Sequence, residues 1–288
     1  MNDMEAIVEG ITRLTPIPRS LQQIMELAKD PDVDMDRLTE AVSQDPVLIA
    51  NLLKDANSAY YGRSRKFETV NQAVVFLGTA EVFNLVLISG CRDTLAAAQE
   101  GYDLSTGELW RYSLSSALLA KAVAVKTNLA DKQLVFTASM VKDIGKLVLS
   151  QYVSEKYEEI RGLVDANGYS FREAEKAVLG IDHAELGAMV AQHWRFSPKM
   201  VDIIRHHHQP LQCEAAPFEA GAVYLGDLLC MMLGVGVGAD GLSYRFEQQV
   251  IELLGLSDTD IQMLLVEFEM QKDRTEGLLE TDLPGSER

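Results

Sequence analysis

Residues 170–208 read SFREAEKAVLGIDHAELGAMVAQHWRFSPKMVDIIRHHH, and this stretch decides the fold. Its apolar residues recur at intervals of three and four, which is the spacing of one face of an α-helix. Ser170 precedes the first apolar run, and Ser197 with Pro198 precedes the last, as residues that begin helices do. Gly180 stands where the first helix should end. The stretch therefore predicts three consecutive helices.

The rest of the chain has the same helical spacing, and no run alternates as a strand would. We predict an all-α protein of about ten helices joined by short connections. The longest interruption, QEGYDLSTG at residues 99–107, contains Ser105 as a candidate N-cap for the next helix. We place a boundary there, between an N-terminal helical lobe at residues 1–104 and a second helical lobe at residues 105–288 that ends in an acidic helix.

Charge and composition limit the function. The 288 residues contain 26 Lys and Arg against 43 Asp and Glu, a net charge of -17. Such a charge repels phosphate backbones and anionic lipid, and no basic patch opposes it, so we expect no nucleic acid and no membrane as partners. The N-terminus lacks the basic region of a signal peptide, and no apolar run reaches the roughly 18 residues of a membrane span. The three cysteines suggest no disulfide framework. We therefore expect a cytoplasmic protein.

Histidines and one isolated carboxylate are the candidates for chemistry. All five histidines fall within one 26-residue window, which suggests metal binding: His183, His193, His206, His207 and His208. Asp227 lies inside the apolar run VYLGDLLCMML, where a carboxylate is costly to bury without a cation, a metal or several hydrogen-bond donors. A nucleophile elbow and a phosphate-binding loop are both absent from the sequence.

The three consecutive histidines have two interpretations. Successive helical residues differ by about 100° in direction, so at most two of them can face one metal. The other interpretation is a helix C-terminus, where imidazolium groups interact favourably with the last carbonyls. His193 is better explained as a packed or rim residue, and His183, after the candidate cap Asp182, as a first-turn residue.

Several motifs together resemble one known family, the HDOD domain. The N-terminal half carries LTPIPRSLQQIMELAKDPDVDMDRLTEAVSQDPVLIANLLKDANSAYYG and TVNQAVVFLGTAEVFNLVL. The second half continues with ELWRYSLSSALLA, VKDIGKLVL, GIDHAELGAMVAQHW, IIRHHHQP and VYLGDLL, so the resemblance runs from about residue 14 to residue 238. The resemblance implies a relative of the HD superfamily of metal-dependent phosphohydrolases, and a signalling or regulatory role without established catalysis.

The ligand positions of the superfamily's metal site can be assigned, one by one, to residues of this sequence. Tyr112 stands at the early histidine position, and Lys142 with Asp143 stands at the His-Asp pair, so the resemblance implies a degenerate HD lobe that lacks two histidines. The remaining candidate ligands are Asp143, His183, His207, His208 and Asp227. A protonated lysine has no lone pair for a metal, and a tyrosine with a pKa of about 10 is a poor ligand at neutral pH. A two-metal hydrolase is therefore not expected, although the residual ligands could still hold a single divalent cation.

Three functions follow from this resemblance. The first is a non-catalytic signal-transduction module, such as a response-regulator output domain, that needs no cofactor and binds signalling proteins: kinases, response regulators, cyclic-dinucleotide enzymes or a second copy of itself. The second is a metal-dependent phosphohydrolase acting on a nucleotide or cyclic dinucleotide. The third is a pseudo-enzyme that senses a nucleotide, with Lys142 and His207 contacting phosphate.

A candidate partner surface lies in the N-terminal half. The segment NSAYYG places Asn57, Tyr60 and Tyr61 at a helix exit, and these residue types are suited to recognition surfaces. The same residues could instead pack between the two lobes, since buried tyrosines contribute large apolar areas. The sequence leaves both interpretations open.

Overall fold

The protein is described by a computed structural model that covers residues 3–13, 19–27, 33–61, 66–235, 238–241 and 246–271, together with Thr275 and Leu278. Every regular element in these ranges is a helix and none is a strand, which confirms the all-α prediction. Among the helices described, none is both long and apolar enough to cross a membrane.

The described ranges contain sixteen α-helices. These are α1 (Asp3–Arg13), α2 (Arg19–Leu27), α3 (Met35–Ser43), α4 (Pro46–Ala56), α5 (Val70–Leu77), α6 (Thr79–Leu95), α7 (Glu108–Lys126), α8 (Lys132–Val141), α9 (Lys146–Glu155), α10 (Tyr157–Asn167), α11 (Phe171–Leu179), α12 (His183–His193), α13 (Pro198–His206), α14 (Pro217–Met232), α15 (Gln248–Leu254) and α16 (Asp258–Met270). Short 3₁₀ helices occupy Ala59–Tyr61, Glu100–Tyr102, Pro210–Gln212 and Ala239–Gly241.

The expected number of about ten helices was too low, because short breaks divide segments with continuous helical spacing. The break between α8 and α9 shows the reason. A Cβ atom added to Gly145 would lie 2.0 Å from the backbone oxygen of His183 and 2.6 Å from the nitrogen of Gly187. Such a close backbone contact requires a glycine at this break, and the apolar spacing of the sequence does not reveal it.

The helix-starting residues of the opening stretch act as predicted. Ser170 forms a capping box with Glu173, and the Ser197 side chain accepts from the backbone nitrogen of Met200. The prediction that Ser105 caps α7 was wrong. That helix follows Gly107, whose φ is +85°, and the Ser105 nitrogen instead donates to the Glu108 carboxylate over 2.5 Å.

The chain forms two compact units. Unit 1 comprises the described parts of residues 1–15 and 95–266, and unit 2 those of residues 16–94 and 267–288. The predicted lobe boundary between residues 104 and 105 stays a prediction. Within unit 1, α7 and α14 pack closely because Gly226 has no side chain, and a Cβ there would lie 2.5 Å from the Ala120 nitrogen.

Unit 2 contains a buried ion pair. The Arg92 guanidinium lies 2.7 Å from Oδ1 of Asp55, and the Ser89 hydroxyl donates to Oδ2 of the same carboxylate over 2.8 Å. All three side chains are buried. A buried carboxylate needs such partners to offset the loss of water, so this pair belongs to the core of unit 2 and is not a candidate site.

Candidate functional site

The residues proposed from sequence meet in one buried cluster within unit 1. They come from α7, from the break between α8 and α9, from the start of α12, from the residues after α13, and from α14. The structure brings together Tyr112, Lys142, Asp143, His183, His207, His208 and Asp227. All of them except His208, which is partly exposed, are buried.

Two lysine ammoniums occupy the centre of the cluster. Lys142 pairs with Oδ2 of Asp143, and its Nζ atom lies 2.8 Å from Oδ1 of Asp227. Lys146, the first residue of α9, places its Nζ atom 2.9 Å from Oδ1 of Asp143. The two aspartates that a metal would use are therefore neutralised by the chain's own cations.

Tyr112 completes the environment of the central lysine. Its hydroxyl donates to Oδ1 of Asp227 over 2.6 Å, and the Lys142 Nζ atom lies 4.5 Å from the centre of its ring. A cation close to an aromatic ring is stabilised further when it is desolvated, as here. The residue at the early histidine position thus supports the lysine, and its hydroxyl is committed to Asp227.

A second hydrogen-bonded group orients His183. The Glu175 carboxylate accepts from the backbone nitrogen of His183 over 3.0 Å and lies 2.7 Å from its Nδ1 atom. The Tyr102 hydroxyl donates to the other oxygen of Glu175 over 2.6 Å. Glu175 therefore holds the His183 ring so that its Nε2 atom faces the centre of the cluster.

The last two histidines of the HHH run reach this cluster, and the first does not. The Nε2 atom of His208 lies 2.8 Å from Nε2 of His183. His207 donates from Nδ1 to the Ile204 carbonyl over 2.7 Å, so its Nε2 atom carries the lone pair. That buried Nε2 atom has no hydrogen-bond partner in the described part of the chain and lies 3.8 Å from Oδ1 of Asp143.

The contacts of the lysine determine its charge. Burial alone would lower the pKa of Lys142, but the carboxylates of Asp143 and Asp227 outweigh burial and raise the pKa above its ordinary value. Burial would likewise raise the pKa of Asp143, but Lys142 and Lys146 hold it well below the usual range. Both partners are therefore charged at neutral pH.

The pKa of His183 is shifted in the opposite direction to those of His207 and His208. Burial would lower the pKa of His183, but Glu175 raises it above the ordinary value. Burial lowers the pKa of His207 to about 4, and burial together with the neighbouring His207 and His183 holds the pKa of His208 well below its usual value. Of the two rings whose Nε2 atoms meet, His183 therefore holds a proton more readily than His208.

The charges of the cluster are paired. Three carboxylates, those of Asp143, Glu175 and Asp227, contribute -3, Lys142 and Lys146 contribute +2, and the sum is zero when His183 is protonated. Neutrality explains how so many ionisable groups can be buried together, because each charge has an opposite partner within hydrogen-bond distance.

These contacts also test the metal that the resemblance implies. A carboxylate-bridged pair of metals does not fit, because the ammoniums of Lys142 and Lys146 fill the positions next to Asp143 and Asp227. One ring nitrogen from each of His183, His207 and His208 lies within 4.8 Å of the others, and the three could hold a single borderline cation, provided that these nitrogens carry no proton. The free lone pair of His207 favours this smaller site.

Sequence reasoning missed three members of the cluster: Tyr102, Lys146 and Glu175. Lys146 lies three residues after Asp143, and that spacing could have predicted its ion pair. Glu175 alone interrupts the buried face of α11, which is the same signal that identified Asp227. Tyr102 has no comparable signal, since buried tyrosines are common in cores.

The remaining candidates lie elsewhere. His193 is exposed at the end of α12, as a rim residue would be. In unit 2, the Asn57 side chain donates to the Phe67 carbonyl over 2.9 Å and accepts from its nitrogen over 2.7 Å, and the Tyr61 hydroxyl donates to Glu81 over 2.8 Å. Tyr60 packs edge-to-face on Tyr61. Their role as a partner surface stays a prediction.

Four segments of unit 1 supply the histidines and aspartates of this cluster, and α7 adds Tyr112. Comparison with protein families shows that residues 14–210 match the HDOD domain, and the chain belongs to that family. The predicted resemblance extended to Gly238, whereas the matched range ends at Pro210. Asp227 therefore lies beyond the family match and enters the site on its geometry alone.

Solved structures share this fold. An HDOD domain protein of unknown function from Geobacter sulfurreducens is 22% identical, with a TM-score of 0.75 and coverage of 96% of this chain and 98% of the other. A provisionally assigned phosphohydrolase from Shewanella amazonensis is 24% identical, with a TM-score of 0.72 and coverage of 96% and 97%. A provisionally assigned signal transduction protein from Marinobacter aquaeolei is 21% identical, with a TM-score of 0.72 and coverage of 97% and 66%. At these identities the likeness establishes the fold alone.

Curated relatives are longer than the region that matches. An uncharacterized protein of Treponema pallidum is 24% identical over 203 residues, which cover 70% of this chain and 39% of that protein. The uncharacterized protein YuxH of Bacillus subtilis is 29% identical over 122 residues, which cover 42% and 29%. The match spans less than half the length of either relative.

Proposed function

We propose that this HDOD chain is a non-catalytic signalling module whose second lobe keeps the helical frame of an HD hydrolase without its metals. The observation that carries the proposal is the fully buried ammonium of Lys142, which contacts both Asp143 and Asp227. A protonated amine cannot ligate a metal or activate water, and it keeps both carboxylates from doing so.

The cluster in this proposal stabilises unit 1 and does not hydrolyse phosphodiesters. Five segments meet at these charges, so the ion pairs fix the relative positions of α7, α12 and α14. A rigid unit of this kind can present its outer surface to signalling partners such as kinases, response regulators, cyclic-dinucleotide enzymes or a second copy of the chain.

Metal content and hydrolysis test the proposal. The protein is purified without chelator, exposed to manganese, iron or zinc, and measured by elemental mass spectrometry beside an Asp143→Asn variant. We expect no metal that depends on Asp143, and no turnover of nucleotides or cyclic dinucleotides. If the wild-type protein binds stoichiometric metal, loses it in Asp143→Asn and hydrolyses a substrate, the proposal of a non-catalytic module is wrong and the chain is an enzyme.

A gain-of-metal variant provides the matched control. Tyr112→His combined with Lys142→His removes the central ammonium and supplies two imidazoles at the positions that the resemblance identifies. We expect this double variant to bind manganese or iron and to gain thermal stability from it, because a ligand that binds only the folded state stabilises it. Such a gain would show that the lysine, and not the helical frame, excludes the metals.

One observation favours a second function, a phosphohydrolase with a single metal on three imidazoles. The His207 lone pair is buried beside Nε2 of His183 and Nε2 of His208. In that case zinc would be retained by Asp143→Asn and lost by His207→Asn, and hydrolysis would be lost with it. These outcomes distinguish the single-metal enzyme from the module.

A further inference from the structure

A second cluster of metal-ligand side chains lies on unit 1, outside the buried cluster. Asp202 and His206 are one helical turn apart on α13, and Cys213 follows the 3₁₀ helix Pro210–Gln212. One donor atom from each residue, a carboxylate oxygen, an imidazole nitrogen and a sulfur, lies within 4.8 Å of the others.

The contacts of this cluster converge on the Asp202 carboxylate. The Nδ1 atom of His206 lies 3.0 Å from Oδ1, and the Cys213 sulfur lies 3.2 Å from Oδ2. Ligand atoms in a tetrahedral zinc site lie roughly 3.3 to 3.6 Å apart, given Zn–N and Zn–O bonds of about 2.0 Å and Zn–S bonds of about 2.3 Å. The two distances to the carboxylate, one to each of its oxygens, differ from these by a few tenths of an ångström, and the three donor atoms all lie within 4.8 Å of one another.

The local backbone holds the cluster in place. Oδ2 of Asp202 accepts from the nitrogens of Glu214 and Ala215 over 3.1 and 3.0 Å. The imidazole of His206 also lies 3.1 Å from the Asp202 carbonyl oxygen. These hydrogen bonds fix the loop after the 3₁₀ helix to α13 and hold the imidazole and the thiol at the same carboxylate.

One ligand of the cluster is buried, and the other two are partly exposed to solvent. Cys213 is buried and is a free thiol, whereas the side chains of Asp202 and His206 are 24% and 20% exposed. A cation can therefore enter from the solvent side, and its fourth coordination position faces water.

We propose that Asp202, His206 and Cys213 form a binding site for a single borderline divalent cation, of which Zn²⁺ is the best match. A thiolate, an imidazole and a carboxylate together suit zinc better than manganese or magnesium, which prefer oxygen ligands. Binding releases the thiol proton of Cys213 to solvent. The Nδ1 atom of His206 lies beside two oxygen acceptors of Asp202 and so carries the ring proton in the metal-free protein, and metal binding shifts that proton to Nε2 and frees the Nδ1 lone pair. The inference does not rest on the function proposed above.

The site would also act on its neighbours in the chain. His206 is the last residue of α13 and immediately precedes His207 and His208. A cation that bridges α13 to the loop at Cys213 fixes the segment that carries these two histidines into the buried cluster.

Cobalt titration tests this site, because a cobalt–thiolate bond gives a near-ultraviolet charge-transfer absorption that histidine and carboxylate ligands do not. The full chain, first stripped of metal with a chelator, is titrated with Co²⁺. We expect one equivalent to produce the absorption in the wild-type protein, and one equivalent of Zn²⁺ to abolish it. Absence of the absorption, or cobalt binding without it, would overturn the proposal.

Variants locate the ligands. Cys213→Ser should abolish the absorption, and His206→Gln, at a partly exposed position, should weaken cobalt binding at least tenfold while the fold is retained. Cys230→Ser provides the matched control, because this buried thiol lies outside the proposed site, on α14. The substitution should leave the absorption unchanged. His208→Gln should also retain it. Persistence of the absorption in Cys213→Ser, or its loss in His208→Gln, contradicts the assignment.

Discussion

The Nζ atom of Lys142 lies 2.8 Å from Oδ1 of Asp227, and both side chains are buried. The same ammonium pairs with Asp143. Because water cannot compensate either carboxylate, unit 1 depends for its stability on this lysine, which is the one cation that pairs with both aspartates.

Lys142→Met should therefore be strongly destabilising. The change leaves buried carboxylates without their central cation, and we expect a loss of about 3 to 5 kcal/mol in the free energy of unfolding. Urea unfolding followed by circular dichroism measures the loss. Lys126→Met is the control, since that lysine forms a partly exposed pair with Asp260 and should change stability by no more than about 1 kcal/mol. Equal effects of the two variants would contradict the role of Lys142.

Glu175→Gln should lower the pKa of His183. The carboxylate of Glu175 raises that pKa against the effect of burial, and glutamine keeps an oxygen but removes the charge. Nuclear magnetic resonance of the imidazole nitrogens follows the titration directly. Glu158→Gln, on the exposed side of α10, should leave it unchanged. A His183 pKa equal in Glu175→Gln and wild type would show that the carboxylate does not govern this ring.

His207 should make the protein sensitive to mild acid. Its pKa is about 4 in the folded protein and about 6.5 when unfolded, so the unfolded chain binds more protons between these values. The contribution of His207 to stability is complete above pH 6.5 and is lost as the pH falls through 4, by about 3 kcal/mol.

Unfolding at a series of pH values tests this dependence. His207→Asn keeps a donor near the Ile204 carbonyl but has no group that titrates in this range, so it should flatten the dependence between pH 6.5 and 4. His193→Asn is the control, because this exposed histidine should leave the slope as it is in wild type. An unchanged slope in His207→Asn would contradict the buried neutral state of this ring.

Two glycine variants separate close packing from helix propensity. Gly226→Ala places a methyl group 2.5 Å from the Ala120 nitrogen, and we expect a loss of about 1 to 3 kcal/mol or more as α7 and α14 move apart. Gly162→Ala, in α10 with open space around it, should instead stabilise by roughly 0.5 to 1 kcal/mol. Thermal unfolding of both variants gives the sign of each stability change. A stability change of the same sign in both variants would contradict this account of the α7–α14 contact.

The sequence predicted the fold class and the candidate residues better than their arrangement. Helical spacing and caps such as Ser170 are local signals, so the helices after them could be predicted. The break at Gly145 depends on the backbone of His183, a contact that no local pattern contains. The number of helices was accordingly underestimated.

The site shows the same limit. A lysine in place of a histidine could be recognised from the motif, but the motif does not specify where its ammonium lies. The ion pairs with Asp143 and Asp227 determine where the buried ammonium lies. These pairs form only when α14 contacts the turn after α8 in the folded protein. Glu175 and Lys146 completed the charge balance without being predicted, because neutrality is a property of the assembled cluster.

The balanced charges have a consequence for how such a chain can change over generations. Replacing Lys142 alone by histidine would remove a charge that Asp143 and Asp227 need, before enough ligands exist to attract a metal. A single substitution at any of these three positions therefore passes through a less stable protein. Because the three residues depend on one another, selection can change them only together, whereas a surface residue of the same unit can change alone.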